Sequence, residues 1–149
     1  RPMSDRLTYT LHELVAEMDA YADAYLARHH GVSYNLFELL VVLVENAPTD
    51  ITGLARCLGV SKAAVSKRLP TLSEWVIATP STGRRILLTP TERAHALVAE
   101  AGWELDTHFA AMFADSRRDD DPRPLAQVAT ELNDQLVALS RTIQLKERP

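Results

Sequence analysis

Apolar side chains recur every three or four positions along most of the chain, which is the spacing of helices that bury one side. The first stripe predicts a long amphipathic helix over residues 4–30, and Gly31 is typical of the residue that follows a helix. A second, almost wholly apolar helix is predicted to begin after Ser33 and to stop before Pro48. Because a helix that is apolar on all sides has to be buried, this one is expected in the core.

The next part of the chain has the pattern of two short helices joined by a tight turn. The first is predicted over residues 51–58 with Asp50 as its N-cap, and Gly59 suits a turn that needs a positive φ. Ser61 is predicted to cap the second helix, which should bend or end near Pro70 because proline cannot donate a backbone hydrogen bond. The residues expected to face inward are Ile51, Leu54, Ala55, Leu58, Val65, Leu69 and Leu72. This is the layout of a helix-turn-helix.

A β-hairpin is predicted directly after this motif. Two β-prone runs, residues 76–79 and 84–89, flank a turn over residues 80–83 that contains proline and glycine. A hairpin in this place is the wing of a winged helix-turn-helix. Pro90 then suits the first position of another helix, which is predicted to run to about Ala114.

The last helix is predicted over residues 124–146, after a polar loop. Its heptad seam consists of Leu125, Ala129, Leu132, Leu136, Leu139 and Ile143. Two interpretations of the long terminal helices are open: they pack on each other within one chain, or they pack against a second copy. The homodimer is favoured, because a twofold-symmetric protein suits a palindromic DNA site.

Charge is unevenly distributed along the sequence. The 149 residues carry a net charge of −4, but the segment from residue 61 to residue 93 carries +4 and the remainder −8. A basic module within an acidic body is typical of a regulated DNA-binding protein. The alternative is an ordinary solvated charged face.

Composition otherwise predicts one soluble domain. The longest apolar run, residues 39–44, is too short to cross a bilayer, no signal peptide is evident, and Met3 is the expected natural start. A cytoplasmic location is expected, with no membrane partner, because one cysteine suits a reducing compartment. The sequence has no phosphate-binding glycine loop, nucleophile elbow or zinc-protease motif, so we expect no enzyme, no cofactor and no metal site.

Cys57 is the one cysteine of the chain. Its place between Leu54 and Leu58 on the first motif helix predicts a small buried core residue. The alternative is a redox-sensing thiol, which would have to be exposed and in electropositive surroundings.

The order of long helix, buried helix, helix-turn-helix, wing and two long helices resembles the MarR (multiple antibiotic resistance regulator) family of winged-helix transcription factors. The resemblance covers nearly the whole chain and rests on residues 54–69, on Leu72 and on residues 84–92 after the wing tip. It implies a single MarR-like domain over residues 1–149, mainly α with a small β-hairpin wing. The implied parts of that domain are a DNA-binding lobe over residues 33–93 and dimerisation helices over residues 4–30 and 94–146.

The chain departs from the family pattern in its recognition helix and its wing. Pro70 falls within the recognition helix, and Trp75 stands where the family usually has a glycine. An aspartate commonly precedes the wing arginine in the family and braces it. In this chain residues 82–85 read Thr-Gly-Arg-Arg, without that aspartate.

The resemblance implies that the recognition helix enters the major groove of DNA and that a wing arginine enters the minor groove. Small and basic residues on an outward helix face suit this role, since they allow close approach to base edges. The candidate recognition-helix residues are Ser61, Lys62, Ala63, Ala64, Ser66, Lys67 and Arg68. The candidate wing residues are Arg84 and Arg85, and the candidate phosphate contacts are Ser33, Ser61 and Arg68. The alternative for each is an ordinary solvated side chain.

An effector pocket is expected between the first, second and fifth helices. Its candidate lining residues are Tyr21, Tyr25, His29, Tyr34, Phe37, Trp103 and His108. These residues suit a small aromatic or phenolic ligand, because they combine ring surfaces with polar groups. The alternative is that they are core and interface aromatics.

The sequence therefore predicts a homodimeric, sequence-specific regulator of transcription that binds double-stranded DNA at a palindromic operator as a repressor. A small ligand would release it from DNA. The alternative is a dimeric winged-helix module that has lost DNA binding and binds a ligand or a protein instead.

Overall fold

The computed structural model describes residues 6–147. The predicted helix start at Ser4 and the expected natural start at Met3 lie outside the described residues. The helices are α1 (Leu7–His30), α2 (Tyr34–Asn46), α3 (Ile51–Leu58), α4 (Lys62–Arg68), α5 (Glu92–Asp115) and α6 (Leu125–Glu147). The strands are β1 (Thr49–Asp50), β2 (Val76–Pro80) and β3 (Ile86–Pro90).

The chain divides within α5 into two compact units, Arg1–Asp106 and Thr107–Pro149. The core of the first unit contains α2, as its apolar sequence predicts: Leu39, Leu40 and Leu43 are fully buried. The other fully buried large side chains are Leu26, Leu54, Val65 and Leu88, which come from α1, α3, α4 and β3. Every one of these elements therefore joins one hydrophobic cluster.

The helix ends follow from local hydrogen bonding. Gly31 and Gly59 adopt left-handed conformations, with φ of 67° and 70°, and end α1 and α3. The hydroxyl of Ser33 accepts a hydrogen bond from the Leu36 N–H at 3.1 Å, and that of Ser61 accepts one from Ala64 at the same distance. Each interaction satisfies one of the free N–H groups at a helix start. These predicted caps are confirmed.

Pro70 ends the α-helical part of the recognition segment. The helix α4 stops at Arg68, and Leu69–Thr71 continue as one turn of 3₁₀-helix. The Thr71 hydroxyl donates a hydrogen bond to the Arg68 carbonyl oxygen at 2.7 Å and so satisfies one carbonyl of the last turn. The predicted stop near Pro70 is confirmed.

The sheet is antiparallel, with strand order β1–β3–β2. The two-residue strand β1 was not predicted, because it is too short to show an alternating pattern and depends on pairing of Thr49 with Leu88. The prediction that Pro90 opens α5 is wrong: Pro90 ends β3 opposite Val76. The cap of α5 is Thr91, whose hydroxyl accepts a hydrogen bond from the Ala94 N–H at 3.2 Å.

Cys57 is exposed, so the prediction of a buried core residue is wrong. The helix α3 is only eight residues long, and its buried residues are Gly53, Leu54 and Ala55. Its last turn leaves the core: Arg56 is also exposed and Leu58 is only half-buried. Helical spacing alone could not show where the core ends.

Trp75 is buried and joins the wing to the start of α5. The guanidinium of Arg93 lies 4.4 Å from the centre of the Trp75 ring and forms an ion pair with Glu74 at 2.7 Å. The Thr91 N–H donates a hydrogen bond to the Trp75 carbonyl oxygen at 3.0 Å. At this position, where the family pattern usually has a glycine, the chain therefore has a large buried side chain.

In the unit Thr107–Pro149, none of the described residues of α6 is buried. The heptad-seam residues Leu132, Leu136, Leu139 and Ile143 are between 38% and 52% exposed. The loop before α6 is held by Asp121, whose carboxylate pairs with Arg123 at 2.7 Å. None of the described helices combines the length and the apolar character that a membrane span requires.

Candidate nucleic-acid interface

The outward face of α4 is determined by the burial of Val65, which is 1% exposed. Since successive helical residues point about 100° apart, one inward residue on a short helix directs its neighbours outward. The residues that this leaves exposed are Lys62, Ala63, Ala64, Ser66 and Lys67, as predicted. The outward face therefore carries small side chains in its middle and a lysine at each end.

The lysines of this face are available to a partner. Within residues 6–147, neither Lys62 nor Lys67 forms an ion pair, whereas Arg85 and Arg93 of the same lobe are both paired. Arg68, also a candidate, is half-buried at the end of α4. Exposed, unpaired ammonium groups beside alanines can approach phosphates or base edges without breaking an existing interaction.

Two backbone hydrogen bonds close the wing tip. The Ser81 N–H donates to the Arg85 carbonyl oxygen at 2.9 Å, and the Arg85 N–H donates to the Thr82 carbonyl oxygen at 3.3 Å. Gly83 within this turn has a φ of 65°, which glycine adopts without steric cost. Arg84 and Arg85 thus lie in the turn, and the prediction that they begin the second wing strand is wrong, because β3 starts at Ile86.

Arg85 receives a carboxylate partner from outside the wing. Its Nε lies 3.2 Å from Oδ2 of Asp50, whose other carboxylate oxygen accepts the Gly53 N–H at 2.8 Å. The Gly53 hydrogen bond, together with the charge of Arg85, holds the pKa of Asp50 below its usual value. Sequence reasoning assigned Asp50 only a capping role, because its contact with Arg85 spans 35 positions.

The candidate phosphate contacts Ser33 and Ser61 lie at the starts of α2 and α4. In each, the hydroxyl oxygen is used as a cap, which leaves the hydroxyl proton as a donor. Both side chains are exposed. Each can therefore donate to a phosphate oxygen while it caps its helix.

The structure brings together only part of the predicted effector pocket. The rings of Tyr21 and Tyr25 lie 6.5 Å apart, and those of Tyr25 and His29 lie 4.4 Å apart. Phe37 instead belongs to the buried core, and Trp103 is 70% exposed.

Two further pocket candidates differ in their surroundings. Burial, together with the charge of Asp19, raises the pKa of Tyr34 to about 12. His108 belongs to the second compact unit.

A polar cluster that the sequence analysis missed connects α1 to α5. The hydroxyl of Tyr25 donates a hydrogen bond to Oε2 of Glu104, and Nε2 of His30 lies 3.0 Å from Oε1 of the same carboxylate. The hydrogen bond raises the pKa of Tyr25 to about 12 and lowers that of Glu104. The available signal was that Glu104 comes three residues after the buried Ala101, at an inward position of the α5 stripe.

The fold and this surface define a winged helix-turn-helix protein. No protein-family model matches the sequence, and no curated protein sequence matches it. Among solved structures it is similar to a MarR-family transcriptional regulator from Rhodococcus sp. RHA1, with a TM-score of 0.72, 20% identity, and coverage of 93% of this chain and 95% of that one. The chain therefore has the fold of the MarR-family transcriptional regulators.

Two further structures support the same fold. A MarR protein from Peptoclostridium difficile DA00132 has a TM-score of 0.70 and 19% identity, and the match covers 99% of this chain and 96% of that one. FabT from Streptococcus pneumoniae, solved in complex with DNA, has a TM-score of 0.72 and 13% identity, over 93% of this chain and 96% of that one. Both matches extend over more than nine-tenths of each chain, so they support the fold of the whole chain.

The Tyr25–Glu104–His30 cluster predicts a pH-dependent contribution to stability. Because the pKa of Glu104 is lowered in the folded state, its contribution is present above the usual glutamate pKa and is lost as the pH falls below it. Glu104→Gln should therefore lower the thermal midpoint near neutral pH, and the difference from the original protein should persist down to about pH 4.5 and shrink as the pH falls further, towards about pH 3. Glu45→Gln, an exposed change on α2, is the control. An equal pH dependence for both variants would contradict the assignment.

Proposed function

We propose that the protein is a homodimeric transcriptional repressor of the cytoplasm that binds double-stranded DNA at a palindromic operator. The observation that carries the proposal is the outward face of α4, where Lys62 and Lys67 flank small residues, are exposed, and form no ion pair with any of residues 6–147. Helix-turn-helix proteins place the N-terminal residues of the second helix against base edges in the major groove. Because α4 ends at Arg68, base contacts are concentrated in residues 61–68.

The wing and the helix starts would hold this helix in register. Arg84 and Arg85 at the wing tip suit a narrow A·T-rich minor groove, whose negative potential attracts arginine. Ser33, Ser61 and Arg68 would contact phosphates, which position a protein on the duplex without reading its sequence. The fold that the chain shares with FabT, which was solved in complex with DNA, supports this arrangement.

The homodimer is supported by α6, in which four residues of the apolar seam are 38% to 52% exposed. None of its described residues is buried, although Leu132, Leu136, Leu139 and Ile143 form a heptad pattern. Exposed apolar stripes of this kind mark association surfaces. On α1, Leu14, Val15 and Met18 are also between 42% and 56% exposed and offer a second apolar face.

A small aromatic or phenolic effector is the proposed release signal. Tyr21, Tyr25 and His29 lie side by side on α1, and Tyr25 bonds to Glu104. A phenolic ligand presents the same hydroxyl as Tyr25 and could compete for that carboxylate. Such competition would alter the contact between α1 and α5.

The DNA-binding proposal is tested with duplexes selected from a random-sequence pool by the original protein. Lys62→Ala combined with Lys67→Ala should weaken binding by roughly 10- to 100-fold at about 0.15 M salt and flatten the plot of log affinity against log salt by about two units. The control is Arg28→Ala combined with Arg141→Ala, which removes two exposed charges outside the winged lobe. Equal losses in both double variants would contradict a DNA contact by α4. Failure of the original protein to select any duplex would favour the ligand- or protein-binding module instead.

The dimer is tested by sedimentation equilibrium. Leu136→Asp combined with Ile143→Asp places charges in the apolar seam of α6, so the protein should sediment as a monomer at concentrations where the original protein is dimeric. Thr130→Asp combined with Ala138→Asp adds the same charge to exposed positions of α6 outside the seam and should leave the dimer intact. A monomeric original protein, or equal dissociation of both variants, would contradict the proposed interface.

A further inference from the structure

Asp50 connects three elements of the winged lobe. It is the last residue of β1 and pairs with Leu87 of β3. It is also the N-cap of α3, where its Oδ1 accepts the Gly53 N–H at 2.8 Å. Its Oδ2 faces Nε of Arg85 at the wing tip at 3.2 Å. A single side chain thus joins the helix-turn-helix to the turn that carries the wing arginines.

The contact leaves the outer part of Arg85 open. Only Nε of its guanidinium faces Asp50, while the side chain as a whole is 54% exposed. The backbone of Arg85 is already fixed, because its N–H and its carbonyl oxygen both take part in the hydrogen bonds that close the turn. Holding Nε therefore restricts the side chain. Within residues 6–147 no hydrogen bond engages its two terminal nitrogens, which can bind a ligand.

We propose that Asp50 is a positioning residue for DNA binding, which orients Arg85 for the minor groove from outside the wing. The wing turn itself, residues 81–85, contains no carboxylate that could hold its arginines. Asp50 supplies the missing carboxylate from the start of α3. This inference rests on the proposed DNA-binding function and adds a specificity residue to it.

The geometry favours positioning over sequestration. A carboxylate that withheld Arg85 from DNA would engage two guanidinium nitrogens in a bidentate pair, as Asp121 engages Nε and a terminal nitrogen of Arg123. Here the single contact is to Nε, and Asp50 is itself fixed by its bond to Gly53. A side chain oriented before binding loses less conformational freedom when it enters a groove. The charge of Asp50 therefore increases affinity where the wing meets DNA.

The test separates the brace from the helix cap. Asp50→Asn keeps an N-cap residue of about equal quality but removes the charge that holds Arg85. Binding to a selected duplex with A·T-rich flanks should fall about tenfold, with a smaller loss when the flanks are G·C-rich. Asp134→Asn, an exposed change on α6, is the matched charge control.

Rescue from the wing makes the test specific. Gly83→Asp in the Asp50→Asn background returns a carboxylate to the turn; nothing lies within 4 Å of a Cβ added there, and aspartate tolerates its positive φ better than most residues. This double variant should recover most of the lost affinity. In an Arg85→Ala background, Asp50→Asn should cause no further loss, since the two residues act as one unit.

Several outcomes would overturn the inference. Unchanged or stronger binding by Asp50→Asn would contradict positioning, as would losses from Asp50→Asn and Arg85→Ala that simply add. The brace is also measured without DNA: the Nε–H of Arg85 should exchange with solvent more slowly in the original protein than in Asp50→Asn. Equal exchange rates would show that there is no brace. An original protein that binds no duplex, with a protected Arg85 Nε–H, would instead refute the proposed function and with it the DNA role of the brace.

Discussion

The burial of Val65 is the constraint on which the proposed DNA-binding surface depends. It is the only buried residue of α4, and it packs into the same cluster as Leu54 of α3. The left-handed turn at Gly59 and the cap at Ser61 determine where α4 begins. Pro70 then limits its length. Because Val65 faces the core and both ends of α4 are fixed, the helix presents one defined face to solvent.

The wing, like α4, is held in place by a small number of contacts. The tip is a tight turn, and β3 holds it against both β1 and β2. Asp50 adds a contact between this turn and the start of α3. Because α3 and α4 are joined by a short turn, the wing arginines and the recognition helix are positioned from one small core. The segment from residue 61 to residue 93, which contains α4 and the wing, carries a charge of +4 although the whole chain carries −4. Positive charge is therefore concentrated on these two elements.

Features that depend on nearby residues could be predicted from the sequence. Glycine and serine at helix ends act through their own backbone or through an N–H three positions away, so Gly59 and Ser61 indicated the correct boundaries. The inward positions of Leu54 and Val65 followed from helical spacing. The role of Pro70 followed from the missing N–H group.

Features that depend on contacts between residues distant in the sequence could not be predicted. The pairing of Asp50 with Arg85 joins residues 35 positions apart, and the Tyr25–Glu104 bond spans 79. The exposure of Cys57 depends on where the neighbouring core ends, which spacing does not show. Pro90 satisfied the rule for a first helical position, but pairing with Val76 placed it in a strand.

The most direct test of the account is to locate α4 on the duplex. A Ser66→Cys variant in a Cys57→Ser background carries one thiol, on the outward face of α4, to which an iron–EDTA group can be attached. We expect two centres of strand cleavage, offset as expected for the major groove and separated by about one helical turn of a selected duplex. Cleavage spread evenly along the bound duplex, or offset as expected for the minor groove, would contradict it.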